Sequence, residues 1–381
     1  MTGTDQGRIR LGMVGGGNDA FIGAVHRIAS RIDDRYELVA GALSSTPEKS
    51  RASGAALGLA RVYDDFKSMA IREARLKNGI NAVSIVTPNH VHYAAAREFL
   101  KRGIHVICDK PLTSNLADAK KLVKAAEQSD ALFILTHNYT GYPMVRQARE
   151  MIQNGDVGTI RVVQVEYPQD WLTEHQDFKQ AEWRTDPERS GAGGSTGDIG
   201  THAFNLACFV TNLTVESLAA DLQAFVPGRQ VDDNAHVMMR FDGGARGMLW
   251  SSQVAPGNEN ALRLRVYGDK GGLEWSQEDP NYLWYTPFGE PKRLITRNGA
   301  GAGDAAARMS RVPPGHPEGY LEGFANIYSE AADAIIAKRN GSAAPDGLIY
   351  PTVQDGLRGV QFVTACVQSS KRNSAWVKVD S

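Results

Sequence analysis

A lysine, an aspartate and a histidine stand in contexts that suit the handling of protons and charge. The stretch "HVICDKPL" is apolar until Asp109 and then presents Lys110 before a proline. A lysine at a strand tip is either an ordinary solvated cation or a charge delivered to a ligand, and only its surroundings decide between these. Farther on, "GGSTGDIGTH" sets Asp198 and His202 four residues apart after a glycine-rich approach, on one face of a starting helix. An acid and an imidazole projected together suit proton transfer. The alternative is that Asp198 caps the helix and His202 is a satisfied interior histidine.

The elements that must position these residues begin with an alternation of strands and helices. "IRLGMVGGG", "YELVAGAL", "AVSIVT", "HVICD" and "LFILTHN" read as strands, with helical patterns between them. Such alternation predicts a doubly wound parallel sheet, in which ligands bind beyond the carboxyl ends of the strands. Lys110 sits at such an end. So does the glycine cluster Gly12, Gly15, Gly16 and Gly17, where backbone amides could approach a pyrophosphate at a helix N-terminus. Gly15-x-Gly17-x-x-Ala20 fits the dinucleotide fingerprint. Phe21, Ile22 and Gly23 lengthen the loop and are placed with it, so the third small residue is either Ala20 or Gly23. The second strand ends "GALSST" without the acid that usually bonds the adenine ribose, while Asp33 and Asp34 precede that strand at its wrong end. Ser44 and Ser45 could bond the ribose, and Lys49 or Arg51 could pair with a 2′-phosphate. NAD is favoured as cofactor, with NADP left open.

After about Tyr139 the pattern changes. "GTIRVVQVEYP", "NAHVMMRFDGG", "ARGMLWSSQV" and "LRLRVYGDKGGLEW" alternate across Gly-Asp turns like antiparallel hairpins. The fold class expected is therefore α/β: an N-terminal Rossmann domain over residues 1–138, and an α+β domain with an open, mainly antiparallel sheet over 139–381. "NGAGAGDAAARMSRVPPGHPEG" reads as a long loop. A chain of 381 residues exceeds what one core usually holds, in keeping with two domains. Lys plus Arg (42) nearly balances Asp plus Glu (43), which argues against a nucleic-acid partner. No apolar run reaches membrane-spanning length, and "MTGTDQGRIR" lacks the apolar centre of a signal peptide, so a soluble cytoplasmic protein is expected. Cys108, Cys208 and Cys366 lack metal-ligand spacing and read as reduced structural thiols, and no metal site is expected.

Taken together, the glycine turn, "TPNHVH", the "CDKP" run and "GGSTGDIGTH" resemble the Gfo/Idh/MocA oxidoreductase family over nearly the whole chain. The resemblance implies that Lys110, Asp198 and His202 form a catalytic set around a substrate hydroxyl or carbonyl. It implies further that Thr87, Pro88, Asn89, His92 and Lys110 line the cofactor cleft, and that Trp183 and Arg184 approach the nicotinamide end. Asp109 stands where the family has glutamate, and Asn205 where many members have aspartate. The activity expected is NAD(P)-dependent oxidation of a secondary hydroxyl of a sugar, glycoside or inositol, with an NADPH-linked reductase or a non-catalytic nucleotide sensor as alternatives. Removal of the hydroxyl proton as hydride leaves carbon calls for a base and a cation near the oxygen, roles assigned to His202 and Lys110, with Asp198 orienting one or both. Asn138, Tyr139, Trp171, His175, Trp183, His316 and Tyr320 supply aromatic faces and hydrogen-bonding groups suited to a carbohydrate or polyol. The resemblance also implies a homodimer or homotetramer.

Overall fold

The computed structural model describes residues 7–379 apart from 19 and 178, and the first six residues of the N-terminal stretch read above lie outside it. In chain order the strands are β1 Ile9–Gly15, β2 Tyr36–Ala42, β3 Arg61–Val62, β4 Ala82–Val86, β5 His105–Cys108, β6 Phe133–Leu135, β7 Ile160–Pro168, β8 Val215–Gln223, β9 Asn234–Phe241, β10 Arg246–Ser252, β11 Arg263–Gly268, β12 Gly271–Ser276, β13 Tyr282–Pro287, β14 Arg293–Thr296 and β15 Val377–Lys378. The α-helices are α1 Phe21–Ile32, α2 Pro47–Ala56, α3 Phe66–Glu73, α4 His92–Leu100, α5 Leu116–Glu127, α6 Pro143–Gln153, α7 Lys179–Arg184, α8 Pro187–Ser190, α9 Thr201–Thr211, α10 Asp304–Arg308, α11 Tyr320–Arg339 and α12 Val353–Lys371.

Two compact units result. The first gathers Met1–Thr113, Ala117–Asn138 and Tyr320–Gly356; the second gathers Ser114–Leu116, Tyr139–Gly319 and Leu357–Ser381. In the first, six parallel strands lie in the order β3-β2-β1-β4-β5-β6. Every residue of β4 is buried, as expected of a parallel strand covered on both faces. The chain order reverses between β1 and β4, so the crevice beyond their carboxyl ends is the switch point of the sheet.

The sequence reading placed α11 in the second region. It belongs to the first unit, where Phe324, Ile327, Tyr328 and Ile335 pack with Ile9, Leu11, Val25, Ala82 and Ile107. Helical periodicity shows that a face is buried and does not say which sheet buries it.

The second unit is built on nine strands in the order β14-β13-β12-β11-β7-β10-β9-β8-β15. All neighbours are antiparallel except β7 and β10. One face is covered by α6, α9 and α12, whose Met144, Val145, Phe204, Leu206 and Phe362 join Val163, Val165, Val237 and Leu249 in a single core. The other face carries the alternate residues, among them Met238, Met248, Gln164, Arg265, Glu274 and Trp284 in one register row. The long loop expected before His316 contains the short helix α10.

Candidate functional site

In the first unit the glycine turn leaves β1 with Gly15 at φ 77° and Gly16 at φ 72°, a region that side chains resist. A Cβ on Gly15 would meet the Val86 carbonyl oxygen at 2.7 Å and Thr87 Cγ2 at 2.9 Å. Gly23 is the third small residue of the fingerprint: a Cβ there would drive into the backbone of Gly16, whereas Ala20 is the extended N-cap of α1. Gly17 donates its amide to Leu43 O at 3.2 Å, which ties the turn to the end of β2. Thr87 Oγ1, at the end of β4, is buried without a hydrogen-bond partner. A side-chain-free turn at the switch point, a helix N-terminus and an unpaired hydroxyl opposite them fit a dinucleotide.

Other expected cofactor residues fall at the same ends of the strands. Ser44 and Ser45 follow β2, half-buried and exposed respectively, and Ser44 Oγ accepts the Thr46 amide at 3.2 Å. Phe21 is 66 % exposed at the first turn of α1, while Ile22 packs into the core. Arg51 is held by Asp64 at 2.5 Å and Glu48 at 3.1 Å, so the cation expected to compete for a 2′-phosphate already has two carboxylates. Asp33 and Asp34 lie at the end of α1, before β2, where Asp34 pairs with Arg8 at 2.6 Å.

Lys110 follows β5 and is half-buried. His92, expected to line the cleft, is fully buried; its Nδ1 lies 2.8 Å from Pro111 O and its Nε2 2.9 Å from Thr87 O. Both ring nitrogens therefore face carbonyls, and the imidazole ties the loop after β4 to the loop that carries Lys110. Burial holds the His92 pKa down. Asn89 is buried, and Pro88 is half-buried beside it. Asp109 donates its amide to Ile85 O at 2.9 Å, and Thr136 Oγ1 lies 3.0 Å from its Oδ1. Burial opposes the Asp109 charge, but His26, Lys110 and His92 outweigh it and hold the carboxyl below its ordinary range.

In the second unit Asp198 lies on a π-turn, Thr196–Gly200, that runs directly into α9. Such turns recur at functional sites because they redirect side chains out of α-helical register. Asp198 does not cap the helix. Its Oδ2 accepts from Arg184 Nε at 3.1 Å and from Gln253 Nε2 at 3.0 Å, so the guanidinium expected at the nicotinamide end grips the carboxylate. Trp183 stacks on that guanidinium at 4.3 Å. The capping carboxylate is the buried Asp232, which accepts the amides of Gly194 and Thr196 and the Thr196 hydroxyl, each at 2.8 Å. Burial pushes its carboxyl up against these three bonds.

His202 is 8 % exposed, with its ring 4.9 Å from that of Tyr139 and 6.2 Å from that of Tyr167. The two tyrosine hydroxyls bond one another. Tyr167 donates to Asn260 Oδ1 at 2.7 Å, and the same oxygen accepts from Gln169 Nε2 at 2.7 Å. Trp171 Nε1 donates to Gln169 Oε1 at 2.9 Å, which brings a second expected substrate residue into one polar aromatic cluster with Tyr139. Asn205 is buried three residues after His202 on α9.

The remaining expected residues disperse. His175 is exposed and pairs with Asp177 at 2.8 Å, and His316 is exposed in its loop. Tyr320, at the head of α11 in the first unit, rests its ring against Phe324 at 5.3 Å. Asn138 is buried just before the second unit begins. Sequence reasoning missed Asp232, Gln169, Gln253 and Asn260. Only Asp232 left a trace, as one of two acids in "VDDNAHV" directly before an amphipathic strand.

A Rossmann sheet with this turn, and an open-faced sheet whose unit carries a half-buried acid and a buried histidine, fit an NAD-binding oxidoreductase. Residues 9–137 match the oxidoreductase family, NAD-binding Rossmann fold, and residues 145–274 match the GFO/IDH/MocA C-terminal domain. The chain belongs to the GFO/IDH/MocA family. It is 34 % identical to the uncharacterized oxidoreductase YfiI of Bacillus subtilis, over 97 % of this chain and 96 % of that one. A crystal structure of an oxidoreductase from Sinorhizobium meliloti is 73 % identical, with a TM-score of 0.91 over 98 % of this chain and 100 % of that one. An inositol dehydrogenase homologue from Azotobacter vinelandii, solved with NADH and myo-inositol, is 36 % identical, with a TM-score of 0.92 over 97 % of each chain. The protein is thus an oxidoreductase of an NAD-binding family, and its relatives include a myo-inositol 2-dehydrogenase of Thermotoga maritima, 25 % identical over 70 % of this chain and 74 % of that one. No helix among the described residues is long and apolar enough to cross a membrane.

Proposed function

We propose that this chain oxidises a ring secondary hydroxyl of a cyclitol or sugar. The observation that carries this reading is the Asp198–His202 turn, with its carboxylate fixed by two donors and its imidazole set against two tyrosine rings. Likeness over nearly full length to an inositol dehydrogenase homologue solved with myo-inositol supports the substrate class. In this reading nicotinamide, when bound, supplies the hydride acceptor. His202 takes the hydroxyl proton, Lys110 donates a hydrogen bond to the substrate oxygen, and Asp198 orients the base. Gln169, Asn260, Trp171 and Tyr139 supply hydrogen bonds and an aromatic wall for a polyhydroxylated ring. NAD is preferred to NADP because Arg51 is engaged by Asp64 and Glu48. We further propose that a second copy of the chain covers the open face of the nine-stranded sheet, giving a homodimer or homotetramer.

The test is a panel of myo-inositol, scyllo-inositol, glucose, xylose and levoglucosan with NAD+ or NADP+. At least one member should reduce NAD+ faster than NADP+. Firm binding of either nucleotide with no turnover of any member would contradict the reading and favour a nucleotide sensor.

A further inference from the structure

Behind Lys110, on the side of the first unit closed by α11, lies a buried polar chain that the chemistry above does not use. His26 of α1 and Ser84 of β4 are fully buried, and Tyr328 of α11 is 1 % exposed. His26 Nδ1 lies 2.9 Å from the Tyr328 hydroxyl and 3.2 Å from Ser84 Oγ, and the two hydroxyls are 2.9 Å apart. On the other side of the ring, His26 Nε2 is 3.6 Å from Asp109 Oδ1, the oxygen that also meets Thr136 Oγ1. Phe324 and Tyr328 pack on the imidazole at 5.0 and 5.8 Å between ring centres and leave it little room to turn.

The two hydroxyls can serve Nδ1 in either tautomer, as donors to its lone pair or as acceptors of its proton. The Asp109 carboxylate on the Nε2 side favours the ring proton on Nε2. The opposite tautomer would aim a lone pair at that carboxylate. At 3.6 Å the contact is longer than a full hydrogen bond, and it acts chiefly as a dipole beside a charge.

We propose that His26 is a positioning residue for Lys110: held by Ser84 and Tyr328, it fixes the ionised Asp109 carboxylate, and Asp109 fixes the lysine that follows it. This rests on the reading of Lys110 as the group that meets the substrate oxygen. It also gives a reason for aspartate at 109: the shorter acid keeps its oxygen near the imidazole and Thr136. The charged and titratable groups facing Asp109 are His26 from α1, His92 from α4, Lys110 and Cys108 from its own segment, His137 after β6 and Tyr328 from α11. Burial alone would push the Asp109 carboxyl up, so losing the imidazole should raise it.

The experiment uses the full chain and the variants His26→Leu, His26→Gln, Tyr328→Phe and Lys110→Ala. Nitrogen NMR of labelled histidine should show the proton of His26 on Nε2 in the wild type; a proton on Nδ1 would overturn the proposal. Carboxyl-carbon NMR should show Asp109 titrating at higher pH in His26→Leu and Tyr328→Phe, and near its wild-type position in His26→Gln, whose amide can donate. Where a panel substrate is turned over, His26→Leu should lower kcat on the order of 10- to 100-fold with NAD+ affinity unchanged, and move the acid limb of the pH profile upwards. His26→Gln should recover most of the rate. An unshifted Asp109 titration in folded His26→Leu or Tyr328→Phe would overturn the proposal, as would an unchanged kcat and pH profile. Lys110→Ala separates the two readings: full activity there sinks the role of the lysine, whereas an inactive Lys110→Ala beside a normal His26→Leu sinks only the role of His26.

Discussion

At the scale of single residues, Asp198 shows how the second unit holds a charge in place. Two donors converge on one of its oxygens, and Gln253 reaches it from 55 residues away in sequence. Replacing Asp198 with alanine would remove the carboxylate that Arg184 and Gln253 hold, so kcat should fall by roughly two orders of magnitude or more, while NAD+ affinity measured by fluorescence stays the same. Asp232 acts one step back. Asp232→Ala removes three hydrogen bonds from the entry to the π-turn and should cost on the order of 3 kcal/mol in denaturant unfolding, with kcat lowered more than KM is raised. Asp198 and His202 drew notice in the sequence as an acid and an imidazole four apart, but the π-turn that carries Asp198 left no sequence signal. Asp232 was not, because its partners lie 36 and 38 residues away and nothing local distinguishes it from Asp233. His92 was expected to line the cleft from its motif, while its two carbonyl contacts, which lie 5 and 19 residues away in sequence, emerge only in the fold.

At the scale of elements, the glycine turn and the segments around it were largely legible, since β1, its turn and α1 form a contiguous pattern. The choice between Ala20 and Gly23 was not, because it depends on how closely α1 approaches Gly16. Gly23→Ala should push the helix off the turn, weaken NAD+ binding on the order of ten-fold and cost about 1–3 kcal/mol, measured by titration and thermal unfolding. The short strand β3 and helix α3 escaped sequence reading because they carry little periodicity. Their junction is set by Glu73, 1 % exposed, which takes Arg61 at 2.7 Å and the Tyr63 hydroxyl at 2.7 Å. The return of α11 to the first unit could not be read, since its apolar face fits either sheet.

At the scale of the whole molecule, each unit carries a property of its own. In the first, burial lowers the pKa of His105 and of His137 to about 4, against an ordinary value of 6.5. His105 Nδ1 accepts the Leu132 amide at 2.9 Å, a bond that protonation would break. The unfolded chain binds these protons first, so their contribution is complete above pH 6.5 and is lost as pH falls towards 4. The melting temperature should therefore drop across that window, and less steeply in His137→Gln. In the second unit the open sheet face exposes Met238 (54 %), Met248 (49 %) and Trp284 (40 %) between arginines and glutamates. Interleaved apolar and oppositely charged rows suit contact with a second copy, and Met248→Glu should lower the mass seen by light scattering to that of a smaller assembly. The most direct test of the activity itself is reduction of NAD+ by the panel of polyols and sugars, followed by nicotinamide absorbance, with wild type beside Lys110→Ala. Turnover by the wild type that falls at least about a thousand-fold in Lys110→Ala, with NAD+ still bound, is the predicted result. Equal turnover by the two proteins would contradict the account.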